Sequence, residues 1–345
     1  MKSMKIARLA FPLSMLILSV AGCGGGGGGG GSGSTSATQN PVAITESTKM
    51  QVAAVALNSD VRSLSAFGAS AGGVVSIDSD LRRSRPLVAI VSETLKRINP
   101  RATENHELPS AIVRGEPLPC GIQGAPSGSI LVSFDDKDGN AEYSSGDTLE
   151  LTFIQCYDPL GKITSGGKLK FTFTNIVGAP FQQITPWSFT ADLHFSGFEL
   201  RFADQNLLQV NGTMVWTQAK DNADETLIQV SGARLSVKRT DDNILITNYL
   251  VKFNDNVRTD EYRQSGTQSV SSSKLGGTFQ MDVSEALPLV GIASSFPDSG
   301  TIKITGAGSS ITLNAVDRIN VRIELDSNLD GIVDSSEVIA WSILS

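Results

Sequence analysis

The chain has 345 residues, 40% hydrophobic and 18% charged, which is apolar material for one large domain or two small ones and too much for a chain disordered throughout. Its 28 basic residues against 35 acidic ones, a net charge of −7, argue against a general nucleic-acid binder, because phosphate contacts need a basic surface. Two histidines leave little material for a histidine-built metal centre.

The first segment reads as an address. Lys2, Lys5 and Arg8 precede an apolar run from Leu9 to Val20, interrupted by Pro12. A run of about 12 residues is too short to cross a ~30 Å hydrocarbon core and reads as a cleaved export signal. Val20-Ala21-Gly22-Cys23 follows. This resembles the lipobox of bacterial lipoproteins. The resemblance implies a signal peptide over 1–22, cleavage before Cys23, a diacylglyceryl group on its thiol and acylation of the new amine, with palmitate among the expected chains. Two or more chains make a stable anchor where one would hold only marginally. Gly24, in place of an aspartate after the lipidated cysteine, implies the outer membrane in the enteric pattern. Loss of residues 1–22 removes three basic residues and no acid, leaving 25 against 35, a net −10. Such a body is not drawn to anionic headgroups, so the lipid would do the anchoring.

Residues 23–44 form a lipidated Gly/Ser-rich tether, with Gly24 to Gly31 unbroken glycine. Glycine does not restrict the backbone, so the tether is flexible, with a reach of roughly 20–25 Å. Residues 45–128 read as a helical segment followed by a proline-rich loop. Val52, Val55, Ala56, Leu57, Val61 and Leu64 fall near helical spacing, and Leu87, Ile90, Val91, Leu95 and Ile98 do so more clearly, between Pro86 and Asn99-Pro100. Between them, Gly68-Ala69-Ser70-Ala71-Gly72 matches the G-x-S-x-G nucleophile elbow. That chemistry needs a preceding strand, a following helix and a downstream acid and histidine. Here a helical stretch precedes the serine, and His106 and His194 read as solvated side chains. No Walker loop, zinc HExxH, CxxC or dinucleotide fingerprint is present.

From residue 129 to 345 the period changes to two. Leu149, Leu151 and Phe153 alternate with polar residues, as do Leu169, Phe171 and Phe173, then Phe189, Ala191, Leu193 and Phe195, then Tyr249, Val251 and Phe253, then Val321, Ile323 and Leu325. One face of each strand turns inward and the other meets water, the mark of antiparallel sheets. Turn signals stand at Gly166-Gly167, Asn211-Gly212, Asp241-Asp242-Asn243, Gly276-Gly277 and Asp298-Ser299-Gly300. The expected fold is mainly β: a large antiparallel sheet of about a dozen strands, a half-closed barrel or a sandwich, with a short N-terminal helical segment. Cys120 and Cys156, the pair left after Cys23, suggest a disulfide in an exported protein.

Two acidic loops carry the best chemistry. Asp326-Ser327-Asn328-Leu329-Asp330-Gly331-Ile332-Val333-Asp334-Ser335-Ser336-Glu337 places oxygen side chains at loop positions 1, 3, 5, 9 and 12, with glycine at 6. It resembles the EF-hand calcium loop. Carried over, Asp326, Asn328 and Asp330 are direct ligands, Ile332 gives its carbonyl, Asp334 acts directly or through water and Glu337 closes the shell with both oxygens. Leu329 at position 4 departs from the family, and strand-like flanks restrict the resemblance to the loop. The weaker loop offers Asp136, Asp138, Asn140, Glu142 and Asp147, with Ala141 where the glycine belongs. It resembles the aspartate-rich calcium loops of secreted β proteins. Calcium is the cofactor both imply, because it takes six to eight hard oxygens at about 2.3–2.6 Å.

Together these features resemble the β-rich envelope lipoproteins of Gram-negative bacteria. The expected function is a calcium-stabilised, non-enzymatic envelope lipoprotein, binding or structural, held at the membrane by lipid. The alternatives are a periplasmic carrier of lipid or another apolar ligand, and a serine esterase using Ser70.

Overall fold

Side chains that alternate along the sequence alternate in burial. On one strand Phe189, Ala191, Leu193 and Phe195 are buried while Thr190, Asp192 and His194 between them are not. The computed structural model describes residues 40–59, 117–119, 128–140, 142–158, 163–179, 184–201, 206–256, 258–292 and 295–344. The signal peptide, Cys23, most of the tether, Ser70, the helix expected over 87–98, His106 and Cys120 lie outside these residues.

Among the described residues there is one α-helix, α1 (Lys49–Ser59). Fifteen strands follow: β1 (Leu118–Pro119), β2 (Ser129–Asp135), β3 (Thr148–Asp158), β4 (Ile163–Ala179), β5 (Ile184–Arg201), β6 (Leu207–Lys220), β7 (Glu225–Arg239), β8 (Asn243–Asn256), β9 (Glu261–Ser272), β10 (Gly277–Val283), β11 (Leu289–Ile292), β12 (Thr301–Thr305), β13 (Ser310–Ala315), β14 (Asn320–Asp326) and β15 (Ser335–Ala340). They form one antiparallel sheet in sequence order, except that β11 leaves the row to pair with β9. The expected class, mainly β with a large antiparallel sheet, is the one observed. Consecutive strands joined by short turns give this order, since a hairpin is the shortest way to satisfy two edges at once.

The inner face is packed by size. Ala191 on β5 lies between Phe173 on β4 and Trp216 on β6, so the smallest side chain of the row receives the two largest rings. Two sequence signals prove to have another meaning. Gly166-Gly167 and Asn211-Gly212, expected as turns, lie inside β4 and β6. They belong to a line of register shifts that crosses β3 to β8. A β-bulge inserts one extra residue and bends the strand. Gly167 has φ +86, and a Cβ there would stand 2.0 Å from the Gly197 carbonyl oxygen, so only glycine allows the two backbones to approach. Each extra residue switches which parity faces inward. On β5 the buried set runs Phe189 to Phe195 and then changes to Phe198 and Leu200; on β8 it runs Ile244, Ile246 and then Tyr249, Val251. The bulges keep strands of up to 18 residues apolar on one side although the sequence loses its alternation midway.

Helix α1 closes part of the inner face. Val52, Ala53, Val55, Ala56 and Leu57 are all buried, so the helix is covered nearly all round, and the carbonyl of Ser59 at its end accepts a bond from Gln268 Nε2 at 3.4 Å. Its lead-in runs into the fork where β10 and β12 separate. Val42 donates its N–H to Thr278 O at 2.8 Å and accepts from Ala307 N at 2.7 Å, and the Ile44 N–H reaches Ser309 Oγ at 2.8 Å. Within the stretch expected to be a proline-rich loop, Leu118–Pro119 adds a short strand to the β2 edge. Among the described residues no helix is long and apolar enough to cross a membrane.

Candidate metal site

The connection between β2 and β3 is built on an aromatic peg. Tyr143 turns its ring inward, 5.2 Å from Phe134 in an edge-on contact and 5.2 Å from Phe173. Burial pushes its hydroxyl far above the ordinary phenol range. The peg draws the acidic stretch on either side of it back over the sheet. Asp147 is fully buried, and its carboxylate accepts from Lys137 N at 2.8 Å, Ser144 N at 2.7 Å and Ser144 Oγ at 3.0 Å. Asp136 accepts from Gly139 N at 2.7 Å, and Asp138 from Asn140 N at 3.2 Å. These bonds fold the loop so that oxygens of Asp136, Asp138 and Asp147 all lie within 4.8 Å of one another.

That distance has a physical meaning. Two oxygens bound to one calcium at about 2.4 Å can stand no farther apart than about 4.8 Å. The donor set is hard oxygen only, suited to calcium or magnesium and not to a soft metal. It supplies three of the six to eight ligands that calcium takes. Lys137, inside the loop, turns its ammonium to Asp135. Ser144 Oγ stands 2.9 Å from Asp138 Oδ2 and 3.0 Å from Asp147 Oδ2, and its single proton serves one of them at a time. Of the five residues read from the sequence, three converge. Asn140 turns its amide to Asp138 Oδ2 at 3.0 Å and accepts from Glu142 N at 2.6 Å, so it braces the loop.

The C-terminal loop is arranged differently. Asp326 accepts from Gly331 N at 3.0 Å, Asn328 Oδ1 from Asp330 N at 3.0 Å, and Asp330 from Ile332 N at 2.8 Å. Asp334 accepts from the Ser327 hydroxyl and, at 2.7 Å, from its N–H, and these bonds hold its carboxyl below the ordinary range. The acids cap the turn's own backbone. Among the described residues, three converging acidic side chains occur at 136–147 and not here. Glu337 lies inside β15 opposite Ile323, and its carboxylate is 2.8 Å from Lys49 Nζ. The side chain expected to close the calcium shell thus meets an ammonium from α1. Lys49 is 3% exposed and also bonds Glu46 Oε1 at 2.5 Å. No sequence spacing links residues 49 and 337; only the fold brings them together.

Other expected residues fall as follows. His194 stands on the outer face of β5, opposite Lys170 and Thr213. Cys156, on β3, is disulfide-bonded, with its partner outside the described residues. Pro119, next before Cys120, pairs with Ser129, which pairs with Ile154 on β3. No protein family, curated protein or solved structure matches the chain.

Proposed function

We propose that this chain is a lipid-anchored envelope protein, moored at Cys23 and non-enzymatic, whose β body holds calcium in the 136–147 loop and serves a binding or supporting role. The convergence of Asp136, Asp138 and Asp147 within 4.8 Å carries the calcium part of this reading. The cation would relieve the repulsion among three carboxylates and fix the β2–β3 connection. Exposed sites of this kind bind in the 10⁻⁴–10⁻³ M range. At tenfold excess over Kd, binding adds about 1.4 kcal/mol to the folded state. The expected result is a higher melting temperature in millimolar calcium than in chelator, with the difference lost in Asp138→Asn, whose carboxylate is the exposed one of the three. Identical curves for the unaltered chain in calcium and chelator overturn the calcium reading. Membrane fractionation of Cys23→Ser tests the anchor: the variant should leave the membrane, and retention there overturns it.

A carrier of apolar ligands is the second reading, and Trp187 favours it. This indole is buried at 7% exposure, stacked on Phe189 at 6.3 Å, and its Nε1 has no acceptor among the described residues. Such a donor in an aromatic wall would suit an oxygen on an otherwise apolar ligand. Saturable binding of a fluorescent fatty acid, weakened by Trp187→Phe, would support it; no binding by the unaltered chain would remove it.

A further inference from the structure

We propose that the outer edge of β15 pairs with the same edge of a second copy of this chain, joining two sheets about a twofold axis at Val338. The strand is the last of the sheet, and among the described strands β14 is its one neighbour. Its open side can be read from the ladder. Val316 donates its N–H to Asn320 O at 3.1 Å, so Asn320 turns its backbone groups towards β13. Alternation then turns Val321, Ile323 and Leu325 towards β15, where they face Ile339, Glu337 and Ser335. The N–H and C=O groups of Ser336, Val338 and Ala340 are left pointing away from the sheet.

Edges of this kind are normally guarded by lysine, proline, a bulge or an inward-turned charge. None of the first three occurs between Ser335 and Ala340, and the register with β14 is unbroken. The one charge, Glu337, is taken up by Lys49 Nζ at 2.8 Å. Four apolar side chains are exposed around the edge, Val338 at 54%, Ile343 at 61%, Val333 at 48% and Ile332 at 66%, among the polar Asp334, Ser336 and Ser342.

The occupant follows from self-complementarity. In an antiparallel pair centred on Val338, Ser336 of one copy meets Ala340 of the other, and Val338 meets itself. These are the three residues with outward backbone groups, so each of these pairs exchanges hydrogen bonds. Glu337, already neutralised, lies opposite Ile339. Within the strand no like charges stand directly opposite one another, although the protein as a whole is acidic. A strand of this length buries less than the ~1,000 Å² of a stable interface, so the pairing is a concentration-dependent equilibrium.

Cysteine cross-linking of the full chain in detergent micelles tests the register. Cα atoms of directly opposed strand residues lie about 4.5–5.5 Å apart, inside disulfide range. Val338→Cys should give about tenfold more disulfide-linked dimer than Leu287→Cys, an exposed control at 60% on the connection between β10 and β11. Ser336→Cys should cross-link when mixed with Ala340→Cys and not by itself. Val338→Lys should weaken self-association about tenfold or more in sedimentation equilibrium. Equal cross-linking at 338 and 287, efficient cross-linking of Ser336→Cys alone, or a monomeric mass at every concentration would overturn the proposal.

Discussion

The Lys49 cluster makes an asymmetric expectation. Its side chain is 3% exposed, whereas those of Glu46 and Glu337 are 66% and 41% exposed. Lys49→Met removes the buried charge, keeps most of the stem, and leaves two carboxylates that water can reach. Losing the pairs is offset by no longer dehydrating an ammonium, so the cost is about 1 kcal/mol or less. Glu46→Gln with Glu337→Gln leaves the ammonium in place without a counter-charge. Breaking a fully buried pair that way costs about 3–5 kcal/mol; here the amides still accept hydrogen bonds and the acid side is open to water, so the loss falls below that range but stays above that of Lys49→Met. Urea titration at neutral pH reads the difference as a shift of midpoint at constant slope. The double glutamine variant should unfold first. A Lys49→Met variant equally or more unstable would refute the reasoning, because it would mean that the ion pairs outweigh the dehydration of the lysine. The pH dependence has the matching sign. Burial works against the charge, but Glu337 and Glu46 outweigh it and hold the pKa above the ordinary 10.5. The stabilisation is fully present below that value and is lost as pH rises through the folded-state pKa.

Other expectations are shorter. Burial, then the like charge of Asp260, pushes Asp255 up to about 6 from 3.8, with Lys220 opposing. The unfolded chain ionises first, so the carboxyl costs nothing below about pH 4 and its full penalty above about pH 6. Asp255→Asn should therefore stabilise by about 1 kcal/mol at pH 7–8 after solvent screening, with no gain near pH 4, and an equal gain at both would contradict the assignment. Gly167→Ala puts a Cβ 2.0 Å from a carbonyl oxygen at φ +86, whereas Gly139→Ala, at φ +70, meets nothing within 4 Å. The first should cost more than about 3 kcal/mol or prevent folding and the second about 1–2 kcal/mol, as read by thermal melting; equal losses would dissolve the bulge argument.

The sequence by itself determined the class of the fold. Alternation at Leu149–Phe153, Leu169–Phe173 and Phe189–Phe195 is a local pattern, and a one-sided apolar strand has to be buried against something. It also marked the start of α1 and the acidic character of both loops. It did not show that Gly167 and Gly212 lie within strands, because a glycine at positive φ serves a turn and a bulge equally, and the neighbouring backbone decides between them. The same holds for the acids. The loop at 326–337 has the better spacing, yet its carboxylates cap their own turn and Glu337 meets Lys49 across 288 positions of chain. The loop at 136–147 has the poorer spacing, yet Tyr143, packed between Phe134 and Phe173, folds its aspartates together. Residue type is written in the chain, whereas the direction of a carboxylate depends on what the rest of the fold places beside it.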